Sequence, residues 1–199
     1  MESSQFQERF RCEEIVSDEE KILFYKLRYE EYAIKRGWEQ TNPAEIETDY
    51  FDQFSYHFGC FKRDDNSLIA AARLIDAQRT TLFFEKYIQT AISRNGLEVS
   101  RFILDKKNIG KKYLFMLRGK LFYLLYEFAE RNQYEYFYAF ITAKHFRGLQ
   151  RSGGKFFDKI SDEINFKNNY YVAVRAGIAT VKELSLKDLF WKFDFFRNI

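Results

Sequence analysis

The chain has 199 residues and a mass of 24.1 kDa, and 31% of its residues are charged while 46% are hydrophobic. This length predicts one domain, residues 1–199, with a sizeable core. Two cysteines and two histidines exclude a disulfide scaffold and a structural zinc cage, and no metal is expected. No apolar stretch approaches the roughly 20 residues that span a bilayer, and the polar N-terminus differs from a signal peptide. These features predict a soluble cytoplasmic protein with reduced cysteines.

The net charge of +3 conceals an uneven distribution of charge along the chain. Residues 1–100 carry 13 basic and 19 acidic side chains, whereas residues 101–199 carry 19 basic and 10 acidic ones. Two stretches, residues 106–120 and 144–155, contain basic residues and no acid. Such stretches suit a phosphate-bearing ligand or an acidic protein partner, or they are ordinary solvated faces.

The first half of the chain alternates strand-like and helix-like patterns. A strand is predicted at residues 10–16, and Ser17 followed by Glu20 is a capping-box pattern that predicts a helix to about residue 35. The only proline, Pro43, marks a loop dense in acids. Turn-forming residues 64–67 predict a hairpin between strands 56–62 and 68–75, and a short helix is predicted at 84–92. The acids of the loop are Glu45, Glu47, Asp49 and Asp52.

The second half contains the longest predicted helix, residues 113–131, after a strand at 97–104 and a Lys-rich loop at 105–112. Residues 134–141 are nearly continuously apolar, which predicts a strand buried on both faces. The remaining predictions are a helix at 144–152, strands at 156–158 and 170–176, and a terminal helix at 186–193. This order predicts an α+β fold with a mixed, mostly antiparallel sheet flanked by helices.

Three charged residues, Arg73, Glu98 and Arg101, lie inside predicted strands. Strand periodicity places Glu98, Ser100 and Phe102 on one face and Arg101 on the other. A bulge between Glu98 and Arg101 would bring both side chains to one cleft. Buried arginines need carboxylate partners, for which Glu98, Asp49 and Asp52 are candidates. The set predicts either a functional cleft or an ion-pair web that only ties the sheet to the acidic loop.

Short motifs containing these residues follow one another in a fixed order. They are Arg28-x3-Tyr32-x5-Trp38, Asp49-x2-Asp52, Arg73, Glu98-Val99-Ser100-Arg101-Phe102 and, more weakly, Leu149-Gln150-Arg151-Ser152-Gly153. In this order they resemble the LuxI-type acyl-homoserine-lactone (autoinducer) synthases, over about residues 24–153. Tyr32 stands where that family prefers Phe. The resemblance implies a GNAT-like acyltransferase fold.

A sister group, the N-acyl amino acid synthases, resembles this chain in one additional segment. Asp49-x2-Asp52-x2-Ser55-x-His57 is similar to that group, whereas Trp38 favours the lactone-forming enzymes. The shared motifs define acyl transfer better than they define the amine acceptor. His57 is interpreted as a satisfied strand histidine rather than a catalytic one.

The Lys-rich loop is similar to the phosphate-binding loop of GNAT acyltransferases, although it has one glycine instead of two. Backbone N–H groups at the start of the following helix suit a phosphopantetheine phosphate. The basic stretch is longer than one phosphate needs, which favours docking of an acyl carrier protein over free CoA. No nucleic-acid partner is expected, because no recognised nucleic-acid-binding motif accompanies the basic stretches. The candidate carrier-binding residues are Lys107, Gly110, Lys111 and Lys112.

The resemblance implies attack of a primary amine on an acyl thioester, with S-adenosylmethionine as the favoured acceptor and no permanently bound cofactor. Glu98 is the candidate base, and backbone N–H groups near Ser100–Phe102 are expected to polarise the thioester carbonyl. Asp49 and Asp52 are expected to hold the ammonium group, and Arg73 and Arg101 to orient these carboxylates or the carboxylate of the acceptor. The expected lid over the acceptor consists of Arg28, Tyr32 and Trp38.

Two other functions remain open from the sequence: acylation of a free amino acid such as Tyr or Gly, and a non-catalytic acyl-carrier or ligand-binding module. The retained costly charges argue against the module. Aromatic side chains near the predicted long helix are interpreted mostly as core, with an acyl tunnel as a gap in that core. They are Phe115, Phe122, Tyr126, Phe128, Phe137, Tyr138 and Phe140.

Overall fold

A computed structural model describes residues 2–151 and 157–187. Its helices and strands run in the order α1 (Glu2–Arg9), β1 (Phe10–Ile15), α2 (Asp18–Tyr29), β2 (Ser55–Lys62), β3 (Leu68–Asp76), β4 (Gly96–Leu104), α3 (Lys111–Arg131), β5 (Tyr136–Thr142), α4 (Ala143–Arg151), β6 (Asp158–Lys159), β7 (Ile164–Phe166), β8 (Asn169–Gly177) and α5 (Ile178–Lys187). The strands form one sheet in the order β1-β2-β3-β4-β5-β8-β6, and β7 also pairs with β8. Only β4 and β5 pair in parallel, which confirms the predicted α+β fold.

One face of the sheet is covered by the long helix α3. Leu117, Leu121 and Leu125 recur every four residues along α3 and are at most 1% exposed, as expected for the apolar stripe of a packed helix. They pack in one cluster with Leu74 of β3 and Leu97 of β4. Burying each leucine stabilises the fold by roughly 1.5–3 kcal/mol, so this face is the principal core of the protein.

The other face of the sheet contacts α2 and the acidic loop. Ser17 caps α2 by accepting a hydrogen bond from the Glu20 N–H, as the sequence predicts. The helix ends at Tyr29 and continues as a wider π-helical turn over Glu30–Lys35, the part of the predicted helix that carries Tyr32. Phe24 and Leu27 of α2 pack here against β2 and β3. This face holds the charged residues of the strands.

The pairing of β4 determines where the sheet opens. Its contact with β5 runs only from Gly96↔Tyr136 to Glu98↔Tyr138, so the two strands separate beyond Glu98. A register shift against β3 places two residues, Arg101 and Phe102, opposite Ala72. The predicted bulge therefore exists, but it lies at Arg101, whose φ of 49° is in the left-handed region. The extra residue keeps Arg101 on the same face as Ser100.

Several local predictions are wrong. The helix predicted at residues 84–92 is only a short 3-10 turn, Glu85–Tyr87, and the sequence analysis missed α1, β7 and α5. In β5 only Tyr138 is fully buried, because the strand borders the opening of the sheet and so is not enclosed on both faces. Most of the helix predicted at 186–193, and residue 156 of a predicted strand, lie outside the described residues.

The two cysteines are not reduced in this structure. Cys12 and Cys60 are direct cross-strand partners of β1 and β2 and form a disulfide across 48 residues of sequence. The low cysteine count had predicted reduced cysteines. That prediction was wrong, because the antiparallel register of β1 and β2 brings the two residues together whatever their separation along the chain.

Candidate active site

Three arginines and three carboxylates form a buried ion-pair network on the α2 face of the sheet. Arg28 Nε and Nη2 donate to the two oxygens of Glu47 at 2.5 and 2.8 Å, and Arg28 Nη1 donates to Asp52 Oδ1 at 2.6 Å. Since Arg28 is 0% exposed and Glu47 only 7%, each needs the other to offset the cost of leaving water. The Arg28–Glu47 pair is the innermost part of the network.

The two other arginines connect the Arg28–Glu47 pair to the sheet. Arg73 Nη1 lies 2.6 Å from Asp49 Oδ1 and 2.8 Å from Asp52 Oδ1, and its Nε donates to Ser100 Oγ at 3.0 Å. Arg101 Nη2 lies 3.0 Å from both Glu47 Oε1 and Asp49 Oδ2. The three positive and three negative charges balance, so the network has no net charge, and its hydrogen bonds hold the side chains in a fixed arrangement.

Local backbone structure explains how the acidic loop presents its carboxylates. Asp49 Oδ1 accepts the Phe51 N–H at 2.9 Å, while Asp52 Oδ2 accepts the Asp49 N–H at 2.7 Å. These reciprocal bonds form a capping box that opens a 3-10 turn, Tyr50–Phe54. Asp52 uses Oδ2 in the turn and Oδ1 toward Arg28 and Arg73, whereas Asp49 Oδ1 serves both the turn and Arg73, and its Oδ2 faces Arg101. The Asp-x2-Asp spacing is the signature of this arrangement.

The arginines control the ionisation of the carboxylates. Burial alone would raise the pKa of Glu47, but hydrogen bonds from Arg28 and Arg101 outweigh it and lower the pKa to about 2. The pKa of Asp52 is likewise lowered, because the hydrogen bond from His57 and the charges of Arg28 and Arg73 exceed the effect of burial. Both carboxylates are therefore ionised at neutral pH.

Glu98 is ionised far less readily than the network carboxylates. It is 2% exposed, and no salt bridge to it exists among the described residues. Its Oε2 accepts the Phe83 N–H at 2.9 Å, a bond that only partly offsets burial. Desolvation raises the pKa of Glu98 to about 7. A carboxyl group with this pKa exchanges protons readily at neutral pH, as a general base requires.

A cavity of about 530 Å³ opens onto Glu98 and the network. One wall is aromatic, with Tyr32 and Trp38 stacked at 5.9 Å and 24° and Arg101 over the Tyr32 ring at 4.9 Å. Ser100 and Arg73 lie in the polar floor. The opposite wall is a second group of aromatic rings, namely Phe51, Phe83, Phe140, Phe166 and Tyr171. The cavity thus joins two apolar walls by a floor of fixed charges.

Some predicted site residues lie outside this cavity. Arg28 is wrong as part of a lid, since it is completely buried beneath Glu47. Asp52 lies behind Asp49 and supports Arg28 and Arg73. Phe102 points to the α3 face, where it stacks on Phe122 at 4.6 Å, because the bulge reverses the side of the sheet on which it lies. Tyr32, Trp38, Asp49, Arg73, Glu98, Ser100 and Arg101 all line the cavity.

The predicted carrier-binding residues lie at the end of β4. Gly110 is the N-cap residue of α3 and has no side chain to cap the helix. Lys107 is exposed in the preceding loop, and Lys111 and Lys112 begin α3, with side chains outside the described part. These residues do not line the cavity.

Sequence reasoning missed Glu47, Phe83 and Lys167 as residues of the site. Glu47 is one of four acids in the acidic loop. The high density of acids in that loop was the available sequence signal. Lys167 lies at the tip of the β7–β8 hairpin and lines the cavity, in a segment for which no strand was predicted. His57 and Ser55, by contrast, have structural partners, Asp52 and the Phe51 carbonyl.

Solved structures with a similar fold are acyltransferases. The chain is 15% identical to the CoA-dependent acyl-homoserine lactone synthase BjaI, solved with SAM and isopentyl-CoA, over 90% of this chain and 88% of that chain, with a TM-score of 0.69. For the AHL synthase LasI the values are 16%, 89%, 93% and 0.68. For an acyl-CoA N-acyltransferase from Pseudomonas aeruginosa they are 16%, 84%, 97% and 0.57. These likenesses confirm the predicted GNAT-like fold.

The family comparison goes further than the fold. No curated protein sequence gives a significant match, but the family model described as autoinducer synthase matches residues 13–183. None of the helices in the described part of the chain is long and apolar enough to cross a membrane. The family match spans most of the chain and confirms the predicted autoinducer synthesis: the protein belongs to the autoinducer synthase family and is an acyltransferase.

Proposed function

We propose that the protein transfers a fatty acyl group from an acyl carrier protein thioester to the amino group of S-adenosylmethionine, forming an acyl-homoserine lactone. The observation that carries this proposal is Glu98, a buried carboxyl group with a pKa of about 7 in the wall of the cavity. BjaI, which has a similar fold, was solved with SAM and isopentyl-CoA. The proposal joins this chemistry to the geometry of the present site.

The chemical step requires a neutral amine next to the thioester. A free α-ammonium group has a pKa of about 8, so most of it is protonated at neutral pH. Glu98 therefore removes one proton from it, directly or through a water. The neutral nitrogen then attacks the thioester carbonyl, the carbon–sulfur bond breaks, and one of the two remaining nitrogen protons passes to the leaving thiolate as the amide forms. General-base assistance contributes roughly 10²–10⁴-fold to the rate. Positioning of two substrates contributes about 7–11 kcal/mol, so the fixed network supplies the larger part.

The acceptor fits the α2 side of the opened sheet. Asp49 and Glu47 present negative charge to an ammonium or sulfonium group, and Trp38 offers a flat face to an aromatic base. Arg28 and Asp52 hold these groups from behind, so we assign them positioning roles. Tyr32 fixes Trp38 by stacking and by accepting the N–H groups of Trp38 and Glu39 with its carbonyl oxygen.

The acyl donor fits the opposite side of the opening between β4 and β5. There Phe102 of β4 stacks on Phe122 of α3. Phe122 is nevertheless 46% exposed. We assign the acyl chain to this side and the thioester carbonyl to the bulge at Arg101, where β4 has left its partner strand β5. Phe102 is then an acyl-binding residue rather than an acceptor-binding one.

A carrier protein is the proposed donor because the basic surface near this opening is extensive. Residues 106–120 include six basic residues and no acid, and Lys106, Lys107 and Arg118 are exposed. Further basic residues, Lys144 and Arg151, are exposed on α4. The N-terminal end of α3 suits the phosphopantetheine phosphate. A carrier protein and S-adenosylmethionine as substrates would place the reaction in the cytoplasm.

The function is tested by mass spectrometry of products made by the purified protein from S-adenosylmethionine and acyl carrier protein loaded with defined acyl groups. We expect an acyl-homoserine lactone and one equivalent of methylthioadenosine. Formation of N-acyl amino acids from added amino acids, with no lactone, would instead establish the alternative acceptor. The described residues do not favour that alternative, since Ser55 and His57 do not line the cavity.

A further inference from the structure

The tip of the β7–β8 hairpin reaches across the chain to the Trp38 segment. Lys167 and Asn168 form the tip, with φ values of 48° and 58°, typical of a tight two-residue turn. Lys167 Nζ donates to the Trp38 carbonyl oxygen at 2.7 Å and to Glu39 Oε1 at 2.8 Å. Both Lys167 and Glu39 line the cavity, so this cation lies where a bound acceptor would meet it.

Three cations among the described residues line the cavity, and they differ in how tightly they are held. Arg73 is 2% exposed and bonded to Asp49, Asp52 and Ser100, and Arg101 is held by Glu47 and Asp49. Removing a partner from such a buried pair is strongly unfavourable, because it leaves an uncompensated buried charge. The Lys167–Glu39 pair is 31% and 38% exposed, and exposed ion pairs contribute little to stability. Lys167 is therefore the cation that exchanges its partner most easily.

We propose that Lys167 leaves Glu39 and binds the carboxylate of the amino-acid part of the acceptor. The inference rests on the proposed function, in which the acceptor carries an ammonium and a carboxylate on one carbon. Glu98 lines the cavity and has no salt bridge among the described residues, so its ionised form attracts the ammonium, while Arg73 and Arg101 are already held by the network carboxylates. The acceptor carboxylate then lacks a partner in the floor, and the flexible side chain of Lys167 supplies it.

A lysine suits the second chemical step better than an arginine would. In lactone closure a carboxylate oxygen forms a bond to the γ-carbon while the bond from that carbon to the sulfonium sulfur breaks. The electron pair of the broken bond stays on sulfur, which leaves as the neutral thioether of methylthioadenosine. An ammonium group is a point charge that contacts one oxygen, whereas a guanidinium binds both oxygens in a fork. Lys167 thus orients the carboxylate and leaves its second oxygen available for attack.

The test compares two ligands, S-adenosylmethionine and its decarboxylated analogue, by calorimetric titration of the full-length protein. For Lys167→Met we expect affinity for S-adenosylmethionine to fall about tenfold, with affinity for the analogue within about twofold of wild type. Glu39→Gln, which frees Lys167, is expected to strengthen binding of S-adenosylmethionine. Lys86→Met is the matched control, since Lys86 packs on Phe83 and Tyr87 but does not line the cavity.

The possible failures are distinguishable. If Lys167→Met weakens both ligands equally, or neither, the assignment of the carboxylate to Lys167 is overturned while the proposed function stands. If the wild-type protein binds neither ligand but acylates free amino acids, the proposed acceptor is wrong and this inference falls with it. Lys167 lies at an exposed hairpin tip, so thermal unfolding of the variant is expected to match wild type, and a folding defect would not explain a selective loss.

Discussion

Replacing Glu98 with glutamine separates the catalytic role of this residue from its effect on stability. The side-chain amide oxygen of glutamine still accepts the Phe83 N–H, so the substitution removes only the ionisable group. Burial raises the pKa of Glu98 from 4.5 to about 7, so the native state holds a proton that the unfolded state releases. The contribution of Glu98 to stability is therefore fully present below pH 4.5, falls as the pH rises to 7, and is constant above.

The magnitude follows from the same two pKa values. Each pKa unit corresponds to about 1.4 kcal/mol, so ionised Glu98 costs the folded protein about 3 kcal/mol at pH 8. Glu98→Gln is expected to raise the melting temperature by roughly 5–10 °C at pH 8 and by little at pH 4.5. Turnover is expected to fall by about 10²–10⁴-fold, whereas wild-type turnover should rise with pH through 7.

Differential scanning calorimetry across pH 4.5–8 and steady-state lactone formation measure the two effects. Glu135→Gln, at an exposed position, is the control and is expected to change neither. A stabilisation of Glu98→Gln that is equal at all pH values would contradict the assigned pKa, because a neutral Glu98 would then cost nothing. Unchanged turnover would remove Glu98 from the mechanism.

Three other substitutions test the network, the acyl side and the carrier surface. Glu47→Gln leaves Arg28 and Arg101 without their shared partner and is expected to cost about 3–5 kcal/mol in denaturant unfolding; a cost below 1 kcal/mol would refute the structural role of the pair. Phe122→Ala is expected to shift kcat/KM about tenfold toward longer acyl chains, whereas Phe140→Ala should not. Lys106→Glu combined with Lys107→Glu should raise KM for acyl carrier protein about tenfold, and an equal rise for acyl-CoA would argue against a carrier docking surface.

The sequence predicted the site best where its chemistry is unusual for its local structure. Arg73 and Glu98 were recognised because charge inside an apolar strand is expensive, and the need for carboxylate partners followed from the same cost. Two of those partners, Asp49 and Asp52, were identified, and their capping-box spacing is visible in the sequence. Buried charge is thus a signal that local pattern alone reveals.

Glu47 was missed because its role depends on contacts that no local pattern encodes. Its partners Arg28 and Arg101 lie 19 and 54 residues away, and only the packing of α2 and the acidic loop on one face of the sheet brings them together. In the sequence it is one of several acids in an irregular loop, where neither helical nor strand periodicity applies. The high density of acidic residues indicated that this loop is important, but it did not show that Glu47 is the acid that joins the network.

Phe102 shows how one local irregularity changes a face assignment. Strict strand periodicity places it beside Glu98 and Ser100, and the sequence analysis also predicted a bulge in this strand. Because the bulge lies at Arg101, it keeps Arg101 on the acceptor face and moves Phe102 to the α3 face. The position of a bulge depends on the register with β3, which the sequence of β4 alone does not define.

The two unusual carboxylates of the site act on stability in different pH ranges. The pKa of Glu47 is lowered from 4.5 to about 2, so its contribution is present above pH 4.5 and is lost as the pH falls toward 2. The pKa of Glu98 is raised to about 7, so its contribution is lost as the pH rises from 4.5 to 7. Together they favour maximal stability near pH 4.5–5, whereas base catalysis by Glu98 needs its ionised form, whose fraction grows as the pH rises through 7. At neutral pH, where the site works, its protonation states are therefore not those that give the folded protein its highest stability. The network of arginines and carboxylates keeps the site rigid in spite of this cost.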